Sequence, residues 1–209
     1  MKWSRHIFAR QSEHARLNRN AMSDLQSYKS QARKAAFAAR AEAHAEGLDN
    51  KANSQLTAYL KEHTPDKTIA GYMPIRTEVT PLIAMAKAHA RGHRICVPVV
   101  IAAGSPLEFH EWTPDSKMVE GAFGAAVPED GAVLIPDIVI TPLVAFDRSG
   151  YRLGYGGGFY DRSLAEISEI KKISAIGFAY DAQELMMIPR EETDYPLDAI
   201  ITERGILRF

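Results

Sequence analysis

The densest cluster of chemically capable residues is the segment RLGYGGGFYDR at positions 152–162. Four of the five residues 154–158 are glycine, which permits backbone conformations with positive φ and a close approach of a ligand to the main chain. The segment follows two apolar stretches and precedes a helix-forming run. Free N–H groups at a helix N-terminus, together with the helix dipole, bind phosphate oxygens. The segment therefore predicts a phosphate-binding turn.

Charged residues flank this turn in positions suited to phosphate chemistry. Arg152 and Arg162 could add charge-assisted hydrogen bonds to the same phosphates. Asp161 could hold Mg²⁺, which usually takes one or two carboxylates together with phosphate oxygens. Neither a dinucleotide-binding turn nor a P-loop is indicated, because Phe159 stands where the former needs Gly or Ala and GxxxxGK[ST] does not occur. A glycine-rich loop that serves packing alone remains the alternative.

Other candidate residues are weaker when each is taken by itself. Lys29 and Arg33 are four residues apart on a predicted helix, so both side chains project from one face and could grip a triphosphate. From the residues alone, a solvated basic face is the favoured interpretation of that pair. Taken alone, Asp194 is predicted to be a turn residue. Cys96 lies in an apolar stretch, and we expect it to be a buried packing residue. The seven histidines show no metal-ligand spacing.

Four helices are predicted around these residues. The first is rich in alanine, can be capped by Ser23 or Asp24, and ends before Gly47. The third starts near Pro81 and is stopped by Gly92. The predicted ranges are 23–44, 50–63, 80–91 and 157–170.

Short β-rich stretches alternate with these helices. Such alternation predicts an α/β fold with three layers, in which a mainly parallel sheet carries helices on both faces, plus an N-terminal helical arm. We expect a single domain over residues 23–209 behind a basic extension, residues 1–22. The predicted strands are 68–73, 94–99, 107–112, 137–141, 143–146, 173–178 and 199–202, and those at 137–141 and 143–146 are apolar enough to be central.

Composition excludes several classes of protein. The chain has 209 residues, 46% hydrophobic and 24% charged, and a single cysteine cannot form a disulfide within it. There is no apolar run of about 18 residues, so we expect no transmembrane helix. The 25 basic and 26 acidic residues nearly balance, which argues against a nucleic-acid-coating protein.

The first twenty residues hold five basic side chains and one acidic side chain. They lack the apolar core of a secretory signal, so we expect a cytoplasmic protein. The Arg-rich, acid-poor composition faintly resembles a mitochondrial transit peptide, which leaves a mitochondrial location as the alternative.

Several segments together resemble a known family. RLGYGGGFYDR resembles the signature of the 5-formyltetrahydrofolate cyclo-ligases, also called 5,10-methenyltetrahydrofolate synthetases, whose pattern reads roughly RLGxGxGYYD. Here Phe159 replaces a common tyrosine. KSQAR at 29–33, YMP at 72–74 with TE at 77–78, PLVAFD at 142–147 and DYPLD at 194–198 resemble further family segments in the same order. The resemblance covers about residues 28 to 202.

The resemblance implies an activity. ATP and 5-formyltetrahydrofolate would give 5,10-methenyltetrahydrofolate, ADP and phosphate, with Mg²⁺ required. The formyl oxygen would be phosphorylated, and N10 of the folate would then close the ring as phosphate leaves.

The resemblance also implies roles for individual residues. Arg152, Tyr160 and Asp161 would be catalytic, and Asp161 and Asp194 would bind the metal. Glu78 would bind folate, and a carboxylate suits the adjacent amino and ring N–H donors of the pterin. Met73, Tyr72, Trp112 and Tyr155 are further candidates for the folate pocket, although Tyr72 and Trp112 fit a core position equally well. The ATP-binding residues would be Lys29, Arg33, Arg152, Leu153, Gly154, Tyr155, Gly156, Gly157, Gly158, Phe159 and Tyr160.

Two other functions remain open from the sequence. One is a non-catalytic folate- or nucleotide-binding protein on the same fold, and the other is an enzyme acting on a different phosphorylated or acylated small molecule. In each case we expect a small-molecule ligand and neither a nucleic-acid nor a membrane partner. For the cyclo-ligase the substrate would be 5-formyltetrahydrofolate, as monoglutamate or polyglutamate. We expect a monomer or a weak homodimer.

Overall fold

A computed structural model describes residues 25–209 of the chain. Helix α1 covers residues 25–45 of this part, and it is followed by α2 (Asp49–Leu60), α3 (Leu82–His89) and α4 (Phe159–Ile170). All four predicted helices are therefore confirmed in kind. The predicted caps Ser23 and Asp24 and the basic extension 1–22 lie outside the described residues. No helix in the described part is long and apolar enough to cross a membrane.

The main sheet has seven strands, which are β1 (Thr68–Ala70), β2 (Arg94–Val100), β3 (Leu107–Trp112), β6 (Ile138–Pro142), β9 (Ser174–Phe178), β10 (Ala199–Thr202) and β11 (Gly205–Arg208). Their order across the sheet is β11-β10-β9-β6-β1-β2-β3. The five central strands run parallel, and the two edge strands, β3 and β11, pair antiparallel with their neighbours.

Helices cover both faces of this sheet. Alternate residues of β9 face opposite sides, so Ile176 joins one core cluster while Ala175 joins another. The first cluster includes Leu56 of α2 and Met85 of α3, and the second includes Leu164 of α4. The predicted three-layer α/β fold is confirmed.

Helix α1 packs against the body along its length. Ala36 lies in a third apolar cluster with Val144 and Leu153, and Ala43 lies in the same cluster as α2 and α3. These contacts fix α1 beside the glycine-rich segment.

One predicted strand of the main sheet is wrong. Instead of residues 143–146 forming a central strand, β7 is only Ala145–Phe146, and it pairs antiparallel with β8 (Arg152–Leu153) in a separate two-stranded sheet. The carboxylate of Asp147 accepts the N–H groups of Ser149 and Tyr151, which folds the chain back sharply. The glycine-rich segment begins in β8, the second strand of this hairpin.

A second hairpin has no counterpart in the sequence prediction. It consists of β4 (Met118–Glu120) and β5 (Ala126–Pro128), joined by a short 3₁₀ turn at Ala122–Gly124. Phe123 in this turn has φ of 58°, a conformation uncommon for residues other than glycine, and its ring is exposed.

Candidate active site

A cavity of about 1310 Å³ opens at the edge of the sheet where parallel strands end. Tyr72 and Met73, which follow β1, line it together with Pro98 of β2 and Pro142 of β6. Ligands of open α/β sheets bind in this position, outside the carboxyl ends of the strands. The remaining walls come from α1, from the β4–β5 hairpin, from residues 152–162 and from the segment 191–196.

The glycine-rich segment forms one wall and ends in helix α4. Gly158 stands immediately before the helix with φ of 64°, a left-handed conformation that suits glycine. Arg162 in the first turn donates from Nη2 to the carbonyl of Gly157 at 2.7 Å. The N-terminus of an amphipathic helix thus faces the cavity, as phosphate binding requires.

The basic pair of α1 faces the same cavity. Arg33 donates from Nε to the carbonyl of Gly154 at 2.8 Å, which ties the helix to the glycine-rich segment. Lys29 is buried, and its Nζ lies 3.1 Å from Glu191 Oε1 and 3.8 Å from Asp194 Oδ2. The solvated basic face is therefore not what the structure shows for these two residues.

Asp161 is held in place by two donors. Its Oδ1 accepts from Arg152 Nη2 at 2.6 Å and from the N–H of Tyr195 at 3.1 Å. Arg152 also donates from Nη1 to the Tyr195 carbonyl at 2.7 Å. Because Tyr195 directly follows Asp194, these bonds bring the segment of Asp194 up to the start of α4.

The two acidic residues predicted to bind metal both line the cavity. Within residues 25–209 no three His, Cys, Asp or Glu side chains are grouped closely enough to hold a metal ion by themselves. Two carboxylates beside a phosphate-binding turn nevertheless match the donors that Mg²⁺ takes when phosphate completes its coordination.

Glu78 also lines the cavity and is buried. Its Oε1 accepts from the Tyr155 hydroxyl at 3.0 Å, and its Oε2 accepts from the N–H of Ile75 at 2.9 Å. Burial raises the pKa of Glu78, while these two hydrogen bonds and the nearby guanidinium of Arg40 oppose the rise. Glu78 is thus a buried carboxylate held in a fixed orientation by its hydrogen bonds.

Aromatic side chains also line the cavity. The hydroxyl of Tyr160 is covered, lacks a hydrogen-bond partner among the described residues, and has a pKa raised by burial. Burial also raises the pKa of Tyr155, to about 12. Tyr72 is buried and donates its hydroxyl to the Val79 carbonyl at 2.6 Å, so only its ring is left for a ligand.

Trp112 does not line the cavity. It is 7% exposed, lies opposite Ile95 in the pairing of β3 with β2, and packs in the cluster shared with α2 and α3. We therefore leave Trp112 out of the site and treat it as a core residue. The other predicted site residues all line the cavity.

Sequence reasoning missed several residues in or behind the cavity wall, and Phe123 and Arg40 are two of them. Phe123 lies on the β4–β5 hairpin with its ring centroid 6.0 Å from that of Phe159, and its positive φ has no sequence signal other than the following glycine. Arg40 donates to the hydroxyl of Tyr155 at 2.9 Å from beneath the cavity wall. Its position seven residues after Arg33 is only suggestive of a shared helix face.

Comparison with known proteins gives the family. The model of the 5-formyltetrahydrofolate cyclo-ligase family matches residues 25–203. The chain belongs to this family. The matched range contains every residue of the cavity described above.

Individual cyclo-ligases show the same relationship. The 5-formyltetrahydrofolate cyclo-ligase of Escherichia coli is 36% identical over 142 residues, which span 65% of this chain and 77% of that protein. The Haemophilus influenzae cyclo-ligase is 34% identical over 148 residues, spanning 68% and 79% of the two chains. The solved 5,10-methenyltetrahydrofolate synthetase of Aquifex aeolicus superposes with a TM-score of 0.71 at 30% identity, covering 86% of this chain and 92% of that one.

Proposed function

We propose that this chain converts 5-formyltetrahydrofolate to 5,10-methenyltetrahydrofolate at the expense of ATP, releasing ADP and phosphate. The observation that carries the proposal is one cavity lined by the glycine-rich turn, by Lys29 and Arg33, and by the buried, oriented carboxylate of Glu78. Formyl phosphorylation and ring closure need both substrates in one enclosure, because positioning supplies most of the catalysis in phosphoryl transfer.

The triphosphate would bind between α1 and the glycine-rich segment. Lys29 and Arg33 approach from one side, and the N-terminus of α4 with Arg162 approaches from the other. The Nε of Arg162 is buried without a hydrogen-bond partner among the described residues, so it is available to a phosphate oxygen. Lys29 would exchange its contacts with Glu191 and Asp194 for the phosphates.

Asp161 and Asp194 would hold Mg²⁺. When bound, the ion would neutralise charge on the phosphates. Both terminal nitrogens of Arg152 already donate hydrogen bonds, one to Asp161 and one to the Tyr195 carbonyl. We therefore assign Arg152 to orienting the metal-binding acid rather than to contacting the phosphates directly.

Folate would bind with its pterin on Glu78. The free lone pairs of that carboxylate would accept adjacent N–H donors of the pterin, and Met73 and the rings of Tyr72 and Tyr155 would supply apolar surface. The Tyr160 hydroxyl has no hydrogen-bond partner among the described residues, so it would donate a hydrogen bond to the formyl oxygen. This donation would orient the oxygen for attack on the terminal phosphate.

The test is formation of the methenyl product. Purified protein with ATP, Mg²⁺ and 5-formyltetrahydrofolate should show growth of the methenyl-folate absorbance, and omission of ATP or addition of a magnesium chelator should stop it. If both ligands bind but no product forms in several folded preparations of the protein, the chain is a non-catalytic binding protein. If only another phosphorylated or acylated substrate is turned over, the substrate assignment is wrong.

Compartment, assembly and substrate form stay predictions. We propose a cytoplasmic enzyme, monomeric or weakly dimeric, that takes monoglutamylated or polyglutamylated folate. The Arabidopsis thaliana relative, 34% identical over 79 residues, is named a mitochondrial cyclo-ligase. A mitochondrial location therefore has a precedent among the relatives. Fractionation of the source cells with an antibody to the chain would decide between the two compartments.

A further inference from the structure

Arg40 is a buried charge for which the reaction has so far supplied no role. It lies on α1, is 1% exposed, and is among the largest fully buried side chains of the described residues. Burying a guanidinium is costly unless hydrogen bonds and an opposite charge compensate it. The partners of Arg40 should therefore reveal why it is there.

Those partners are Glu78 and two residues beside it, Thr77 in the chain and Tyr155 through a hydrogen bond. Arg40 donates from Nε to Thr77 Oγ1 at 3.1 Å and from Nη1 to the Tyr155 hydroxyl at 2.9 Å. The same Nη1 lies 3.9 Å from Glu78 Oε1, and the guanidinium carbon lies 5.6 Å from the centroid of the Tyr155 ring. A single guanidinium thus joins α1 to both Glu78 and the glycine-rich segment.

The Tyr155 hydroxyl completes a closed triangle. It accepts from Arg40 and donates to Glu78 Oε1 at 3.0 Å, so its proton can point only towards the carboxylate. The N–H of Ile75 holds the other carboxylate oxygen at 2.9 Å. With both oxygens engaged on one side, the remaining lone pairs of Glu78 are left for the cavity.

We propose that Arg40 is a positioning residue for the folate substrate, keeping Glu78 ionised and oriented and fastening it through Tyr155 to the nucleotide-binding turn. The inference rests on the proposed function, because it takes the pterin as the partner of Glu78. A carboxylate must be ionised to accept two N–H donors at once, and a protonated one would present a donor of its own. Arg40 adds a positive charge close to the carboxylate, which with the hydrogen bonds from Ile75 and Tyr155 opposes the rise in the pKa of Glu78 that burial causes.

Other titratable groups also face Glu78, and they define the pH behaviour. Arg76 lies two residues earlier in the chain and, like Arg40, favours the ionised carboxylate. The three tyrosines stay neutral because burial raises the pKa of each. The full set is Arg40 from α1, Tyr72 and Arg76 from the segment between β1 and α3, Tyr155 from the glycine-rich segment and Tyr160 from α4.

The first experiment compares Arg40→Gln with Lys34→Gln, a matched loss of one positive charge at an exposed position of the same helix. Arg40→Gln loses the charge-assisted hydrogen bond from Arg40 to the Tyr155 hydroxyl. We expect this loss to raise the KM for 5-formyltetrahydrofolate about 30-fold. The KM for ATP should change less than about threefold, and Lys34→Gln should match the wild type in both constants. Equal rises in both KM values for Arg40→Gln would contradict the proposal.

A double variant separates positioning from mere stabilisation of the fold. If Arg40 acts through Glu78, adding Arg40→Gln to Glu78→Gln should change the folate KM by less than about threefold. A further 30-fold rise, the additive result, would overturn the proposal. Tyr155→Phe removes one oxygen atom and should raise the folate KM in the same direction even if Arg40→Gln does not fold.

The last experiment needs neither folate nor turnover. Carbon-13 NMR of the Glu78 carboxyl, assigned by its loss in Glu78→Gln, should show a higher pKa in Arg40→Gln than in the wild type, with partial rescue in Arg40→Lys. An unchanged titration would refute the positioning role. Absence of product from the wild-type enzyme would instead refute the proposed function, so the two failures are distinguishable.

Discussion

Replacing Gly158 with alanine perturbs the backbone at the point where the glycine-rich segment becomes α4. Gly158 has φ of 64°, and an L-residue in that conformation costs about 1–2 kcal/mol. A Cβ there would also lie 2.6 Å from Arg162 Nη1. Moving that guanidinium breaks its hydrogen bond to the Gly157 carbonyl, which adds about 0.5–1.5 kcal/mol to the loss of stability.

These costs predict a measurable loss of stability. A destabilisation of about 1.5–3.5 kcal/mol should lower the melting temperature by roughly 3–14 °C in a chain of this size. Gly154→Ala is the matched control, because Gly154 lies outside the positive-φ region and a Cβ there would meet no atom within 4 Å. Its melting temperature should stay within about 2 °C of the wild type.

Thermal unfolding followed by circular dichroism without ligands is the appropriate assay. The KM for ATP should also rise in Gly158→Ala, since the backbone donors before α4 would shift. Equal melting temperatures for the two variants, or a larger loss in Gly154→Ala, would show that the conformation at Gly158 does not determine the shape of the turn.

Three further predictions concern the metal site, the acid response and the core. Asp161→Asn should lower turnover at least about 100-fold with an unchanged circular dichroism spectrum, because the amide is a poor ligand for Mg²⁺; wild-type kinetics would remove Asp161 from the metal site. Burial lowers the pKa of His63 from its ordinary 6.5, so the unfolded chain binds more protons and stability should fall below pH 6.5. Melting at pH 7.5 and 5.5 should differ less in His63→Gln than in the wild type, and equal differences would contradict this. Trp112→Phe should cost about 1–2 kcal/mol in urea unfolding and leave the folate KM unchanged, whereas a raised KM would return Trp112 to the pterin wall.

The order of elements followed from sequence because it depends on local patterns. Apolar periodicity, Gly47 and Gly92 after two helices, and β-branched runs gave four helices and most strands of the main sheet, since these signals act over a few residues. The glycine-rich segment was equally local: its four glycines before a helix predicted a turn of the kind that the structure shows. Apolar patterning could not decide which sheet residues 143–146 join, because an apolar run looks the same in a central strand and in a short buried hairpin.

Tertiary structure decided which side chains meet. Trp112 and Tyr72 were equivalent as buried aromatic residues, yet only Tyr72 follows a strand end that opens into the cavity. Arg40, Glu78 and Tyr155 are up to 115 residues apart in sequence and meet because α1 packs beside the glycine-rich segment. Hydrophobic patterning determines which faces are buried, whereas the contact between two buried polar groups depends on the packing of distant elements. The chemistry of the site was therefore predictable by residue type, and the network that orients Glu78 was visible only in the folded chain.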